Sequence, residues 1–462
     1  MANTINRRDF LKAMGLVTGS LLINPSSAFS NETLRAAAAE PVKKRRIAMI
    51  GTGHRGQGMW GNPVVNRYSD RVEFVGLCDP NIGRAETVKK MMGVTCPTFS
   101  DFEKMMAQTK PDTLIVTTVD GFHHQYIIRG MELGADVITE KPMTIDETKC
   151  QAIIDAEQKF GKRVIVTFNY RYSPHREKIW ELLRKGEIGE VTSVDFHWYL
   201  DTRHGADYFR RWHRRREFSG SLWVHKATHH FDLLNYWLDS DPEEVFAFGN
   251  LDFYGKKGPY RSTTCRACDK KKDCKFYFNI LAQNNARLKA LYVDNEQHDG
   301  YNRDGCVFKE DIDIFDKMGA SIRYANGVQV SYSLTTYSPY EGYRIAFNGT
   351  KGRLEAWIQE SNPSYNADYD ELVVTKGFGI RDHYRISHNA GEGGHGGGDY
   401  RMLDKIFLNL PEDPYHQAAG IRDGAFSCLV GIAARKSCDS GQPIKIADLT
   451  SIKPQAKKQY IG

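Results

Sequence analysis

Apolar positions fall into two regimes along the chain. In the first third they form short, mainly apolar runs: Ile47-Ala48-Met49-Ile50, Val72 to Cys78, Thr113 to Thr118 and Asp136 to Thr139, with helical segments between. These runs predict strands, and their alternation with helices predicts a parallel, doubly wound sheet. From Val191 the pattern changes to alternating apolar and polar positions. Strands are predicted over Val191 to Tyr199, Val245 to Asn250, Ala320 to Thr336, Tyr343 to Phe347 and Arg353 to Trp357. That period of two implies a largely antiparallel sheet with one face against helices. The fold class expected is α/β, with a doubly wound parallel sheet over residues 46–168. A C-terminal α+β domain with a largely antiparallel sheet follows over 169–462. No internal repeat is visible.

Composition narrows the class without changing this picture. The 462 residues are 41% hydrophobic and 26% charged, the profile of a globular protein long enough for two cores. A net charge of +6 is too small to argue for nucleic acid, which requires a basic face. No membrane span is expected, because no stretch reaches about 18 uninterrupted apolar residues. The N-terminus does add something. Arg7-Arg8-Asp9-Phe10-Leu11-Lys12 precedes a modest apolar run from Ala13 to Ile23 and a small-residue site at Ser26 and Ala28. This matches a twin-arginine signal over 1–30, with a polar linker over 31–45, and predicts export to the periplasm or beyond.

The first strand runs directly into Gly51-Thr52-Gly53-His54-Arg55-Gly56. In a Gly-x-Gly-x-x-Gly turn, Gly51 permits the tight bend, Gly53 admits a pyrophosphate, and Gly56 lets the following helix pack close. His54 and Arg55 lie within the same turn, at the helix N-terminus where an anion is favoured. The second strand ends at Asp79, an acid placed to accept from ribose hydroxyls and to repel a 2′-phosphate. NAD is therefore the expected cofactor, favoured over NADP. Ligands of such sheets bind beyond the strands' C-terminal ends, where Thr117, Thr118, His123, Glu140 and Lys141 fall.

The second half carries loops suited to a polyol. Tyr208 to Arg216 interleaves aromatics with cations, and Tyr208, Arg211 and Trp212 supply the flat faces and charged donors a sugar needs. Asp299 to Gly305 is a second polar loop. Gly391 to Tyr400 sets six glycines around His395, just before a helical segment. His225 and His229 stand four apart on a predicted helix, a spacing that also suits a metal, although no third ligand is identifiable and no metal ligand is assigned. Cys265, Cys268 and Cys274 cluster in a Lys-rich loop, with Cys306 as a fourth member. Zinc and disulfides are both open readings of that cluster.

Glu140-Lys141-Pro142 after the fifth strand resembles the signature of the Gfo/Idh/MocA family of sugar oxidoreductases. The resemblance extends to the glycine turn, Asp79, Thr117-Thr118 with His123, Asn169-Tyr170-Arg171-Tyr172, and the segment Ser219 to Asp232. It implies that Lys141 lies near the nicotinamide and the reacting hydroxyl, with Pro142 at a turn suited to a cis bond. It implies that Asn169 contacts cofactor, that Arg171 contacts substrate, and that His229 is the acid/base. One position departs: His225 stands where the family carries Asp, and a histidine cannot supply the negative charge. Gly-His-Gly-Gly-x-Asp-Tyr around His395 is similar to the superfamily branch that cleaves glycosides with bound NAD, which implies a substrate contact for His395.

The function expected is NAD-dependent hydride transfer at a secondary hydroxyl of a sugar or glycoside. An NAD-dependent glycosidase working by transient oxidation and elimination uses the same parts. A sugar-binding protein with structural NAD is a reading of another class. The carbohydrate is the expected partner, and the family resemblance is compatible with a homo-oligomer.

Overall fold

The computed structural model describes residues 43–362, 367–388, 393–408, 410 and 412–458. The twin-arginine signal, most of the linker, and Gly391 and Glu392 of the glycine-rich loop lie outside them.

The first sheet has six parallel strands: β1 (Arg45–Ile50), β2 (Val72–Cys78), β3 (Thr98–Phe99), β4 (Thr113–Val116), β5 (Asp136–Thr139) and β6 (Val164–Val166), in the order β3-β2-β1-β4-β5-β6. The order reverses between β1 and β4, which creates a crevice at their C-terminal ends. Helices cover both faces: α1 (Asn62–Tyr68), α2 (Ile82–Met92), α3 (Phe102–Thr109), α4 (His123–Glu132) and α5 (Glu147–Phe160). β4 is buried at every position, which explains its unbroken apolar run. Three of these helices start at an Asn or Asp whose side chain accepts from the third following N–H: Asn81, Asp101 and Asp146.

After α6 (Pro174–Arg184) comes a nine-stranded sheet, ordered β14-β13-β12-β11-β7-β10-β9-β8-β15. Its strands are β7 (Val191–Asp201), β8 (Pro242–Asn250), β9 (Lys317–Tyr324), β10 (Gln329–Ser338), β11 (Glu341–Gly349), β12 (Gly352–Ser361), β13 (Tyr369–Lys376), β14 (Ile380–Ser387) and β15 (Ile444–Lys445). All pairs are antiparallel except β7 with β10. The single strand expected over Ala320 to Thr336 is a hairpin. Asn326-Gly327 breaks it, with Gly327 at φ +88°, and β9 pairs back on β10. Three further helices pack on and around this sheet, α7 (Thr202–Arg210), α8 (Ala227–Leu238) and α10 (Ile421–Ser440), whereas α9 (Gly398–Phe407) packs Met402, Leu403 and Phe407 against Ile47, Met49 and Trp60 of the first half. Every residue of α8 is buried. Among the described residues, no helix is long and apolar enough to cross a membrane.

Candidate active site

One cavity of about 1140 Å³ lies at the crevice between β1 and β4 and extends under α7, α8 and the edge of the second sheet. It exceeds the ~300–1,000 Å³ of typical small-molecule sites, leaving room for more than one ligand.

Its floor is the glycine turn. Gly51 has φ +90°, and a Cβ there would lie 2.6 Å from the Thr117 carbonyl carbon; a Cβ on Gly56 would lie 2.4 Å from Gly51 O. Both glycines are thus required by the close approach of β1, β4 and the following helix. Asp79, 4% exposed, reaches the cavity from the end of β2. Its Oδ2 accepts from Thr52 N (2.8 Å) and Thr52 Oγ1 (3.0 Å), and its Oδ1 accepts from Asn81 N (2.9 Å) and Arg84 (3.2 Å). Arg84 also pairs with Asp299 at 2.5 Å. Two carboxylates share this one guanidinium, which disfavours a 2′-phosphate. A pre-formed glycine turn followed by a fixed acceptor fits a dinucleotide, with Gly51 and Gly53 at the pyrophosphate and Asp79 at a ribose.

A segment from the second half closes over this turn. Tyr292 Oη accepts from His54 N (2.9 Å), Arg287 donates to His54 O (2.9 Å), and Asn81 Nδ2 donates to Asn295 O (2.9 Å). No sequence signal pointed to these residues.

Glu140, Lys141 and Pro142 follow β5, and the Lys141–Pro142 bond is cis. His123 spans this turn, its Nδ1 2.8 Å from Pro142 O and its Nε2 3.1 Å from Thr118 O. Glu140 is tied down by Arg55 Nε (2.6 Å) and Trp60 Nε1 (2.8 Å). The tethered turn aims Lys141 across the cavity, where Nζ donates to the His225 carbonyl at 3.1 Å. Burial pulls the Lys141 ammonium down to about 8.

The negative charge absent at position 225 comes from elsewhere. Asp120, just beyond β4, places Oδ2 2.5 Å from His225 Nδ1. Burial raises the Asp120 carboxyl well above its ordinary value and drives the His225 imidazole well below its own. Burial thus brings the two proton affinities together, so that the carboxylate and the ring share one proton across this contact. His213 packs against the His225 ring at 4.1 Å, and Tyr208 and Trp212 approach it edge-on. His225 ends a short helix over Leu222–His225, and His229 lies in α8, beyond the break at Lys226. His229 instead stacks on Tyr170 at 4.1 Å and 11°, its Nδ1 buried without a partner. Among the described residues, no His, Cys, Asp or Glu group of three or more stands in metal-binding geometry.

The far wall is polar. Lys226 donates to Tyr170 Oη at 3.1 Å and lies 3.8 Å from Glu341. Glu341 lies 3.0 Å from His204 Nδ1 and is held down to about 2 mainly by that histidine and Lys226, against the opposing effect of burial. His395, at φ +55°, sits at the rim with Nδ1 3.0 Å from Asp399, and Asn169 Nδ2 donates to the same carboxylate at 2.6 Å.

Gly51, Gly53, His54, Arg55, Asp79, Thr117, Thr118, His123, Glu140 and Lys141 all line the cavity, as do Tyr208, Arg211, Trp212, His225, His229 and His395. Gly56 lies beneath the turn, and Asn169 stands behind His395 rather than in the lining. Arg171 is a correction. It is 2% exposed, bound by Asp232 at 2.6 and 2.8 Å and by Asp423 at 3.0 Å, and it does not line the cavity. Its guanidinium is engaged by a buried ion-pair network outside the cavity.

Two family models match the chain: the NAD-binding Rossmann fold of the GFO_IDH_MocA oxidoreductases over residues 45–168, and their C-terminal alpha/beta domain over 180–446. YteT of Bacillus subtilis, which carries an oxidoreductase name, is 38% identical over 430 residues, covering 88% of this chain and 98% of YteT. An inositol 2-dehydrogenase/D-chiro-inositol 3-dehydrogenase of Lactiplantibacillus plantarum is 25% identical over 190 residues, 40% of this chain and 51% of that protein. The WlbA dehydrogenase of Bordetella pertussis, solved with NADH and UDP-GlcNAcA, shares the fold with a TM-score of 0.58 at 20% identity, over 87% of this chain and 99% of its own.

Proposed function

Because the chain belongs to the Gfo/Idh/MocA oxidoreductase family and binds NAD in its Rossmann half, we propose that it oxidises a secondary hydroxyl of a carbohydrate or glycoside. The observation that carries this reading is the convergence of Lys141 and the Asp120–His225 pair on the cavity that the glycine turn floors. NAD, when bound, takes up the hydride from the carbon that bears the hydroxyl.

The chain's own residues handle the proton. With its ammonium lowered to about 8, Lys141 carries a neutral fraction near neutral pH and accepts the hydroxyl proton. Asp120 holds the His225 ring by Nδ1, leaving its other nitrogen to relay a proton, and the shared charge steadies whichever member is protonated. His229, Lys226 and Glu341 supply donors and an acceptor for neighbouring hydroxyls, and the Tyr208 and Trp212 rings offer flat faces for sugar C–H groups. Closure of the Arg287–Asn295 segment over the turn favours a cofactor that stays bound through the cycle. The inositol dehydrogenase of Lactiplantibacillus plantarum, a relative of this chain, supports a polyol. The leader around Arg7-Arg8 supports export, where a retained cofactor is an advantage.

A second reading rests on His395. Its fixation by Asp399 at the cavity rim supports a role for this histidine beside a glycosidic bond, as in an NAD-dependent glycosidase. Purified protein supplied with NAD and a panel of polyols and aryl glycosides separates the two. Reduced nicotinamide accumulating without aglycone marks the dehydrogenase. Aglycone release without lasting reduction marks the glycosidase.

A further inference from the structure

Cys265, Cys268 and Cys274 lie on one stretch of chain and Cys306 on another, and an antiparallel bridge between Thr264 and Gly305 brings the two together. Cys265 N donates to Asp304 O at 2.7 Å and Cys306 N to Thr263 O at 3.3 Å, which sets the outer two cysteines side by side. All four line one cavity of about 20 Å³, and none is in a disulfide. A space that small holds about one atom, since a single water-sized probe occupies ~10–15 Å³.

Three donors point at the sulfurs. Phe278 N lies 3.5 Å from Cys265 Sγ, and Phe308 N lies 3.4 Å from Cys306 Sγ. Arg210, at the end of α7, places its guanidinium 2.9 Å from Cys265 Sγ, with its remaining bonds to the carbonyls of Gly305 and Phe276. Arg210 is 5% exposed and makes no ion pair with a carboxylate among the described residues. A guanidinium stays charged, and burying it is costly unless an anion stands against it. Donors aimed at sulfur are what metal-bound cysteines accept, and four cysteines without disulfides around one atom-sized space form a four-sulfur donor set for a soft cation.

We propose that Cys265, Cys268, Cys274 and Cys306 bind a single zinc ion as a tetrathiolate site, distinct from the NAD cavity. Zn–S bonds of about 2.3 Å suit the size of the space, whereas an iron–sulfur cube does not fit it. No three of the thiols already stand in closed ligand geometry, so loading turns them inward about their Cα–Cβ bonds and releases their protons to solvent. The ion fastens the 251–316 segment to α7, which carries Tyr208 and leads into Arg211, and so supports the part of the chain that closes over the glycine turn.

The test is metal analysis of the full chain, purified without added metal or reductant, alongside a thiol titration after denaturation in chelator. The expected result is about one zinc per chain and all nine cysteines titrating as free thiols. Cys268→Ser and Cys274→Ser should each lose most of the zinc, while Cys438→Ser keeps it. A thiol count lower by two or four, with little zinc, would establish disulfides and overturn the proposal. Nine free thiols without metal would overturn it as well, as would iron with inorganic sulfide. If the serine variants do not fold, the wild-type stoichiometry still decides.

Discussion

Replacing Asp120 with asparagine removes the charge from the Asp120–His225 contact while keeping its shape. The contact is 2.5 Å long, between side chains only 4% and 11% exposed, so water cannot replace the lost carboxylate. An amide cannot share a proton with Nδ1, and the ring is free to adopt the wrong tautomer. Positioned acid–base groups contribute roughly 10²–10⁴ in rate, or about 2.7–5.4 kcal/mol of barrier. The Asp120→Asn variant should therefore lose at least about a hundredfold in kcat. Its Kd for NAD should hold, because Asp120 makes no bond to the glycine turn or to Asp79. A second readout is the pH profile. Anionic Asp120 raises the Lys141 pKa, so neutralising it should move the acid limb of kcat to lower pH. A merely structural aspartate would leave that limb in place. Full kcat with an unshifted profile would refute the assignment.

Four further outcomes follow from the same geometry. Lys141→Met should retain NAD binding, measured by fluorescence quenching, and lose carbohydrate oxidation by about 10² or more. Asp79→Ala removes an acceptor whose charged hydrogen bonds contribute roughly 1.5–3 kcal/mol, so the Kd for NAD should rise by about tenfold or more; unchanged affinity would remove Asp79 from the ribose. Arg171→Met breaks a buried ion-pair network and should cost about 3–5 kcal/mol in denaturant unfolding, with kcat/KM of the folded fraction unaltered. Glu341 and Asp399 are both depressed to about 2 in the folded chain. Their stabilisation is complete above the ordinary carboxylate range and is lost as pH falls toward 2, so Glu341→Gln should flatten the acid-side stability curve.

The first sheet was legible because most positions of β1, β4 and β5 are buried and read as short apolar runs, and because three of its helix starts carry their own caps. The ligand-facing turns need glycine for steric reasons that any reader of the sequence can see. The second sheet was less so. β14 is an edge strand with exposed or half-exposed positions throughout, Ile380 to Ser387, and its charges hide the alternation. At the site, residues read from the glycine turn and from the ends of β4 and β5 fall where expected. Asp120 escaped because its partner lies 105 positions away, and only the fold brings a carboxylate to a histidine standing where the family carries an acid. Arg171 misled for the complementary reason: Asp232 and Asp423, 61 and 252 positions away, enclose it. Local sequence showed an arginine at a promising turn but not the two acids that occupy it.

The central claim is that one cavity brings NAD and a carbohydrate hydroxyl together under Lys141 and the Asp120–His225 pair. It is tested most directly by following nicotinamide absorbance near ~340 nm, the band of the reduced cofactor, as purified protein with NAD meets polyols and glycosides in turn. The account predicts a rise with at least one carbohydrate, abolished in both Lys141→Met and Asp120→Asn while each still binds NAD. A rise that survives in both variants would contradict it, and so would NAD binding with no carbohydrate oxidised and no aglycone released.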